Sequence, residues 1–124
     1  MITIYGELHS SKNGKSIISV NGRPMLISKK VVREAEKGLI SQMLLNKYMF
    51  LQESKNASKP LKIVFKIYRG SKRRFDFINI IQQFQDCMVK AGWIEDDNAN
   101  ELLPIFEPYE VDSKNPRVEI SILK

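Results

Sequence analysis

The chain has 124 residues, 43% of them apolar and 27% charged, which suits one folded domain, residues 1–124, and argues against disorder. A net charge of +6 and a pI near 9.5 favour an anionic partner. The single cysteine excludes an internal disulfide and a cysteine-based zinc site and suits a reducing cytoplasm, while no apolar run reaches the roughly 18–20 residues that span a bilayer, so no membrane partner is expected.

The N-terminus, Met1-Ile2-Thr3-Ile4-Tyr5, lacks the basic start and long apolar stretch of a signal peptide. Ile2 and Ile4 alternate with polar neighbours and predict a short strand within residues 1–8, followed by a polar loop from His9 to Lys15. Two apolar runs, Ile17-Ile18-Ser19-Val20 and Met25-Leu26-Ile27, flank Asn21-Gly22, the strongest short-range hairpin signal. Pro24 places the second arm at an edge. Ser28 is a suitable N-cap for a long helix over 29–50, with Val31, Val32, Ala35, Leu39, Ile40, Met43, Leu44 and Tyr48 as its buried stripe. Residues 52–60 read as a solvated linker.

Leu61, Ile63, Phe65 and Ile67 alternate with Lys62, Lys66 and Tyr68, giving a strand with a basic outer face. Asp76 opens a second helix, 77–91, whose apolar face is Phe77, Ile80, Ile81, Phe84, Cys87, Met88 and Ala91, and Gly92 stops it. Leu102 to Phe106 and the alternating Val118, Ile120 and Ile122 complete the set as strands. The order predicts an α/β (α+β) domain, a mixed β-sheet covered by two helices.

Chemistry concentrates in residues 72–97. The basic triplet Lys72-Arg73-Arg74 is either a solvated charge run or a phosphate-neutralising one. Asp76 can cap its helix, ligate a metal, or do both with different oxygens. Glu95-Asp96-Asp97-Asn98 is either a solvated turn or an acid cluster fixed in space by the apolar Trp93-Ile94 before it. His9, the only histidine, reads as a loop residue; Cys87 and Trp93 read as core. No glycine-rich phosphate loop is present, so no nucleotide cofactor is expected.

These residues resemble the RusA family of Holliday-junction endonucleases. The family pattern is a basic run, then Asp-x-Asp-Asn opening a helix, a mid-helix Asp, then Gly, two apolar residues and a closing Asp-Asp. Arg73-Arg74-Phe75-Asp76-Phe77-Ile78-Asn79 matches the first part, Asp86 the mid-helix acid, and Lys90-Ala91-Gly92-Trp93-Ile94-Glu95-Asp96-Asp97 the second. Ser11-Lys12-Asn13 is similar to the family's Ser-x-Asn loop. The resemblance implies a homodimer that binds four-way DNA junctions and cuts two opposed strands, using Mg²⁺ (or Mn²⁺) held by Asp76 and Asp97, with Asp96 as the third catalytic acid. It implies Asn79 and Asp86 as motif-supporting residues. Lys12, Asn13, Lys15, Arg23, Lys72, Arg73 and Arg74 are the expected DNA contacts. Two positions depart: the motif's second Asp is Ile78 here, and the family's helix lysine is Gln82. Both changes fall on one helical patch, four residues apart. The alternative expectation is therefore a junction-binding relative with weakened or lost cleavage. A structural or protein-interaction module is the third.

Overall fold

The computed structural model describes residues 1–10, 15–28 and 30–124, without the side chains of 15–20 and 24–28. Lys12 and Asn13 lie outside the described residues, as does the side chain of Lys15. The elements are β1 (Ile2–Tyr5), β2 (Lys15–Val20), β3 (Arg23–Ser28), α1 (Lys30–Leu45), α2 (Lys47–Ser54), β4 (Leu61–Arg69), α3 (Phe77–Lys90), β5 (Leu102–Phe106), β6 (Glu110–Val111) and β7 (Arg117–Leu123). The fold is a mixed α+β domain, as expected, with three helices where two were expected.

The principal sheet runs β1-β7-β4-β5, with β6 also beside β4. β7 is antiparallel to both β1 and β4, whereas β5 and β6 run parallel to β4. Ile120 stands between Ile2 and Phe65 in register, so alternate residues of three strands share one face. That face carries Ile2, Ile4, Ile63, Phe65, Ile67, Val118 and Ile120, all buried. Pro104 sits in β5, an edge strand, where the missing N–H costs no ladder bond on the open side. β1 is the other edge. Its end is closed by Gln42 of α1, whose Oε1 accepts from the Tyr5 N–H and whose Nε2 donates to the Tyr5 carbonyl, both at 2.7 Å.

β2 and β3 form a separate two-stranded sheet. Asn21 and Gly22 both take positive φ, 52° and 77°, and Val20 pairs with Arg23 across them. This is the tight turn that Asn-Gly favours. Ser28 is the last residue of β3, opposite Lys15, rather than the start of a helix.

The expected single helix over 29–50 divides at Asn46, which leaves the helical region (φ −98°, ψ 5°). Its side-chain Nδ2 donates to the Gln42 carbonyl at 2.8 Å, a local bond that competes with regular helix geometry. α2 then continues to Ser54, into the stretch expected as linker. The buried stripe is narrower than the periodicity suggests: Val32, Leu39, Met43 and Phe50 are buried, whereas Val31, Leu44 and Tyr48 are exposed.

α3 follows its pattern closely. Ile80, Ile81, Phe84, Cys87, Met88 and Ala91 are buried, with Phe84 edge-on to Phe65 of β4 at 5.6 Å. Gly92, at φ 78°, ends the helix: its N–H donates to the Val89 carbonyl and the Trp93 N–H to the Met88 carbonyl. That pair of bonds is a Schellman motif. Trp93 then stacks on Phe50 (4.3 Å between centroids, 11° between planes) and donates its indole N–H to the Met43 carbonyl at 2.7 Å. The residues after α3 are thereby pinned to the α1–α2 junction.

Trp93→Ala removes this stack and leaves the Met43 carbonyl unpaired. It should lower the unfolding free energy by about 3–5 kcal/mol, measured by urea denaturation followed by far-UV circular dichroism. A loss under about 1 kcal/mol would contradict the anchoring role.

Candidate functional site

The site grows from the segment that follows β1. Gly6 turns the chain with φ 122°, and its N–H donates to the Pro116 carbonyl. Glu7 then reaches the end of β4. Its Oε1 lies 2.8 Å from the Arg69 guanidinium, and its Oε2 accepts the N–H of Gly70. A Cβ at position 70 would stand 2.5 Å from that oxygen, so glycine allows the close approach. Arg69 also donates to the Leu8 carbonyl at 2.9 Å and lies over the Phe75 ring at 4.5 Å. On the other side, the His9 N–H donates to Oε1 of Gln83, a buried residue of α3, at 2.9 Å. Residues 7–10 are thus fastened to β4 and to α3.

Between these walls lies an open cleft of about 640 Å³, lined by residues 7–10, Arg69, Ser71, residues 73–76, Asn79 and Ile80. Asp76 occupies the N-cap position with extended backbone (φ −109°, ψ 132°), but its carboxylate makes no bond to the helix amides. Oδ2 accepts from Asn79 Nδ2, at 3.2 Å, and the residue is exposed. Of the two roles open to Asp76, the side chain does not perform the capping one.

Some of the described basic residues are paired and others are not. Lys59, Lys66, Arg69, Lys90 and Arg117 all pair with carboxylates. The expected basic outer face of β4 is neutralised in part: Lys66 meets Glu110 at 3.0 Å and Tyr68 lies under Arg117, which itself bonds Asp112 and Glu119, whereas Lys62 is exposed. Lys72, Arg73 and Arg74 are among the second kind. They are exposed, and among the described residues no carboxylate pairs with them. Arg23 is exposed beside the hairpin turn.

The acidic cluster folds as a tight turn. Asp96 accepts from the Asp97 N–H at 2.8 Å and from Asn98 Nδ2 at 3.0 Å; the Asn98 bond, then the backbone one, hold its carboxyl below the usual range. Asp97 is half-buried, and burial first, then the negative charge of Asp86, push its carboxyl up, with Asp96 adding to the effect. Asp86 accepts from Gln82 Nε2 at 3.0 Å. Asp97 therefore belongs electrostatically with Asp86 and Asp96, at the C-terminal half of α3. Asp76 stands at the other end, ten residues before Asp86, or about 15 Å along the axis at 1.5 Å per residue. Among the described residues no three His, Cys, Asp or Glu side chains converge into a group that could hold a metal.

His9 is a loop residue, as expected, but the sequence reading assigned it no place at the cleft, nor did it identify Glu7, Arg69 or Gln83. Only Gln83 left a sequence signal: it is a polar residue on the apolar face, three after Ile80 and four before Cys87. Cys87 is fully buried and its thiol is pushed up to about 12 by burial, so it is core, as expected. Among the described residues no helix is long and apolar enough to cross a membrane. No protein-family model matches this chain, and no curated protein matches it significantly.

The raised Asp97 carboxyl has a stability consequence. Its folded form holds a proton more tightly than the unfolded chain, so its contribution is favourable below the ordinary carboxylate range and is lost as pH rises through the folded value. Asp97→Asn should therefore raise the melting temperature at pH 7, in chelator, and leave it nearly unchanged at pH 3. Equal effects at both values would show that Asp97 is not under that strain.

Proposed function

We propose that this chain is a Mg²⁺-dependent, structure-selective endodeoxyribonuclease that resolves four-way DNA junctions as a homodimer. One observation carries the reading: an exposed Asp76 carboxylate that does not cap its helix shares a cleft with Arg73 and Arg74, which pair with no carboxylate among the described residues. Free guanidinium groups attract and position phosphates, and a carboxylate not committed to its helix is available to a cation. The resemblance of residues 73–97 to the RusA pattern supplies the substrate class.

The donor set is one of hard oxygen ligands, which suits Mg²⁺ or Mn²⁺. Asp97, burdened by burial and by Asp86 and Asp96, gains most from a nearby cation. Asp76 and Asp97 are the proposed ligands, with Asp96 beside Asp97. A bound ion would supply an activated water and charge stabilisation at the scissile phosphate. Asn79 steadies the Asp76 carboxylate, and Lys72, Arg73 and Arg74 hold the backbone. Within one chain Asp76 and Asp97 lie toward opposite ends of α3, so a shared ion would need these carboxylates from two chains. Uncovered apolar side chains on α1 and α2, with Leu45 85% and Tyr48 77% exposed, support such pairing.

A second reading is favoured by a specific observation. Ile78 is 76% exposed beside Asp76, and Gln82 is engaged with Asp86, where the resembled pattern has Asp and Lys. A chain that binds junctions without cutting them fits that patch.

Asp76→Asn and Asp97→Asn should each lower junction cleavage at least about 100-fold, the scale of several kcal/mol of metal-borne stabilisation, while retaining junction binding. Mixing the two variants should restore nicking of one strand, because half of the mixed sites are then intact; absence of recovery would place both acids within one chain. Undiminished metal-dependent cleavage by either variant would refute the site. Separately, Arg73→Gln and Arg74→Gln should each reduce the salt slope of junction binding by about 1. An unchanged slope would remove these arginines from the interface.

A further inference from the structure

Two apolar surfaces of this chain lack a partner within it. The first lies at the α1–α2 junction. Leu44, Leu45, Tyr48 and Met49 recur at i, i+1, i+4 and i+5, which sets them side by side on adjacent turns, and they are 54, 85, 77 and 47% exposed. The periodicity spaces Leu44 and Tyr48 as core, yet the fold covers neither.

The second is the β2–β3 hairpin. Its strands pair with each other and with no strand of the principal sheet, and among the described residues neither runs along a helix. In the register Ser16↔Ile27, Ile18↔Met25 and Val20↔Arg23, the apolar positions 18, 20, 25 and 27 share one face with Ser16 and Arg23. Two strands alone are marginal in water, and such a face needs a helix or a further strand against it. The hairpin's own chain does not offer that helix surface within reach. β3 ends at Ser28, two residues before α1 opens at Lys30, so the hairpin is rooted at the start of α1. Its six-residue strands span about 20 Å. Leu44 already lies about 21 Å along α1 from Lys30, and Met49 lies further. The hairpin of one chain therefore ends where its own patch begins.

The area needed points to a second copy. Four side chains so exposed form a patch of about 300–600 Å², the size that marks interaction sites. A two-fold pair in which each hairpin lies on the other chain's patch uses both surfaces of both chains. Counting a hairpin face of similar size, each chain then gives up about 600–1,200 Å², which brackets the roughly 800 Å² per partner of a stable complex. Patch against patch alone falls short of that.

We propose that two copies of this chain pair reciprocally, the face of β2–β3 that carries positions 18, 20, 25 and 27 lying on Leu44, Leu45, Tyr48 and Met49 of the other copy. The choice of a second copy rests also on the proposed function, which needs Asp76 and Asp97 from two chains; the two uncovered surfaces do not depend on it.

Sedimentation velocity of the full chain should show a dimer. Leu45→Glu, at a position too exposed to matter for the folding of one chain, should weaken that dimer at least about 30-fold, the scale of a hot-spot residue. Disulfide cross-linking then reads which faces meet. Met25→Cys and Leu45→Cys chains are mixed, re-equilibrated and oxidised, while Cys87, fully buried, stays out of the reaction. A disulfide dimer that forms from the mixture and from neither variant alone is the expected result. A monomeric unaltered chain, a dimer indifferent to Leu45→Glu, no disulfide from the mixture, or one formed equally well by a single variant overturns the proposal. Junction cleavage on the same samples separates the two claims. A hairpin-to-patch dimer that cuts no junction sinks the nuclease alone, and cleavage by a dimer indifferent to Leu45→Glu sinks this interface alone.

Discussion

The packing of α3 on β4 governs the candidate site of this chain. Ile80, Phe84, Cys87 and Met88 present one buried stripe to the sheet, and Phe84 meets Phe65 edge-on at the centre. A helix fixed along its length by such a stripe cannot slide or roll without exposing large apolar side chains, each worth about 1.5–3 kcal/mol when buried. Its two ends are therefore fixed positions. Asp76 is held at one, and the Schellman turn with the Trp93 stack sets the Asp96–Asp97 turn near the other. The separation of the acids follows from helix length rather than from any loop.

Around that rod the protein spends its charges unevenly. Some basic side chains are tied up in pairs, and the Glu7–Arg69 pair has a building role, since the same carboxylate captures the Gly70 amide and the same guanidinium captures the Leu8 carbonyl and covers Phe75. Exposed ion pairs contribute little to stability, but a partly buried pair that also holds two backbone groups fixes where loops go. In the cleft Arg69 is paired, whereas Arg73 and Arg74 have no carboxylate partner among the described residues.

Local signals in the sequence carried the parts of the fold that depend on local chemistry. Asn21-Gly22 specified its turn through positive φ, Gly92 its helix end, and the three-and-four spacing from Ile80 to Met88 the buried stripe. The break at Asn46 was not legible, because the apolar spacing runs through it and the competing bond is made by its own side chain to Gln42. Nor was the separation of the β2–β3 hairpin from the main sheet, since strand pairing is non-local. For the site, Asp76, Asn79, Arg73 and Arg74 were found by motif and do meet in one cleft. The opposite wall was missed because Glu7 and Arg69, like His9 and Gln83, become neighbours only through the tertiary fold; no short-range pattern encodes them.

The central claim is metal-dependent cutting directed by DNA shape, and its most direct test uses the unaltered protein. A four-way junction labelled on each strand, and a linear duplex of the same arm sequence, are incubated with and without Mg²⁺, and the cut positions are mapped. Paired nicks on opposed strands of the junction, absent without metal and absent from the duplex, are the predicted result. Tight junction binding with no cuts in Mg²⁺ or Mn²⁺ would contradict it.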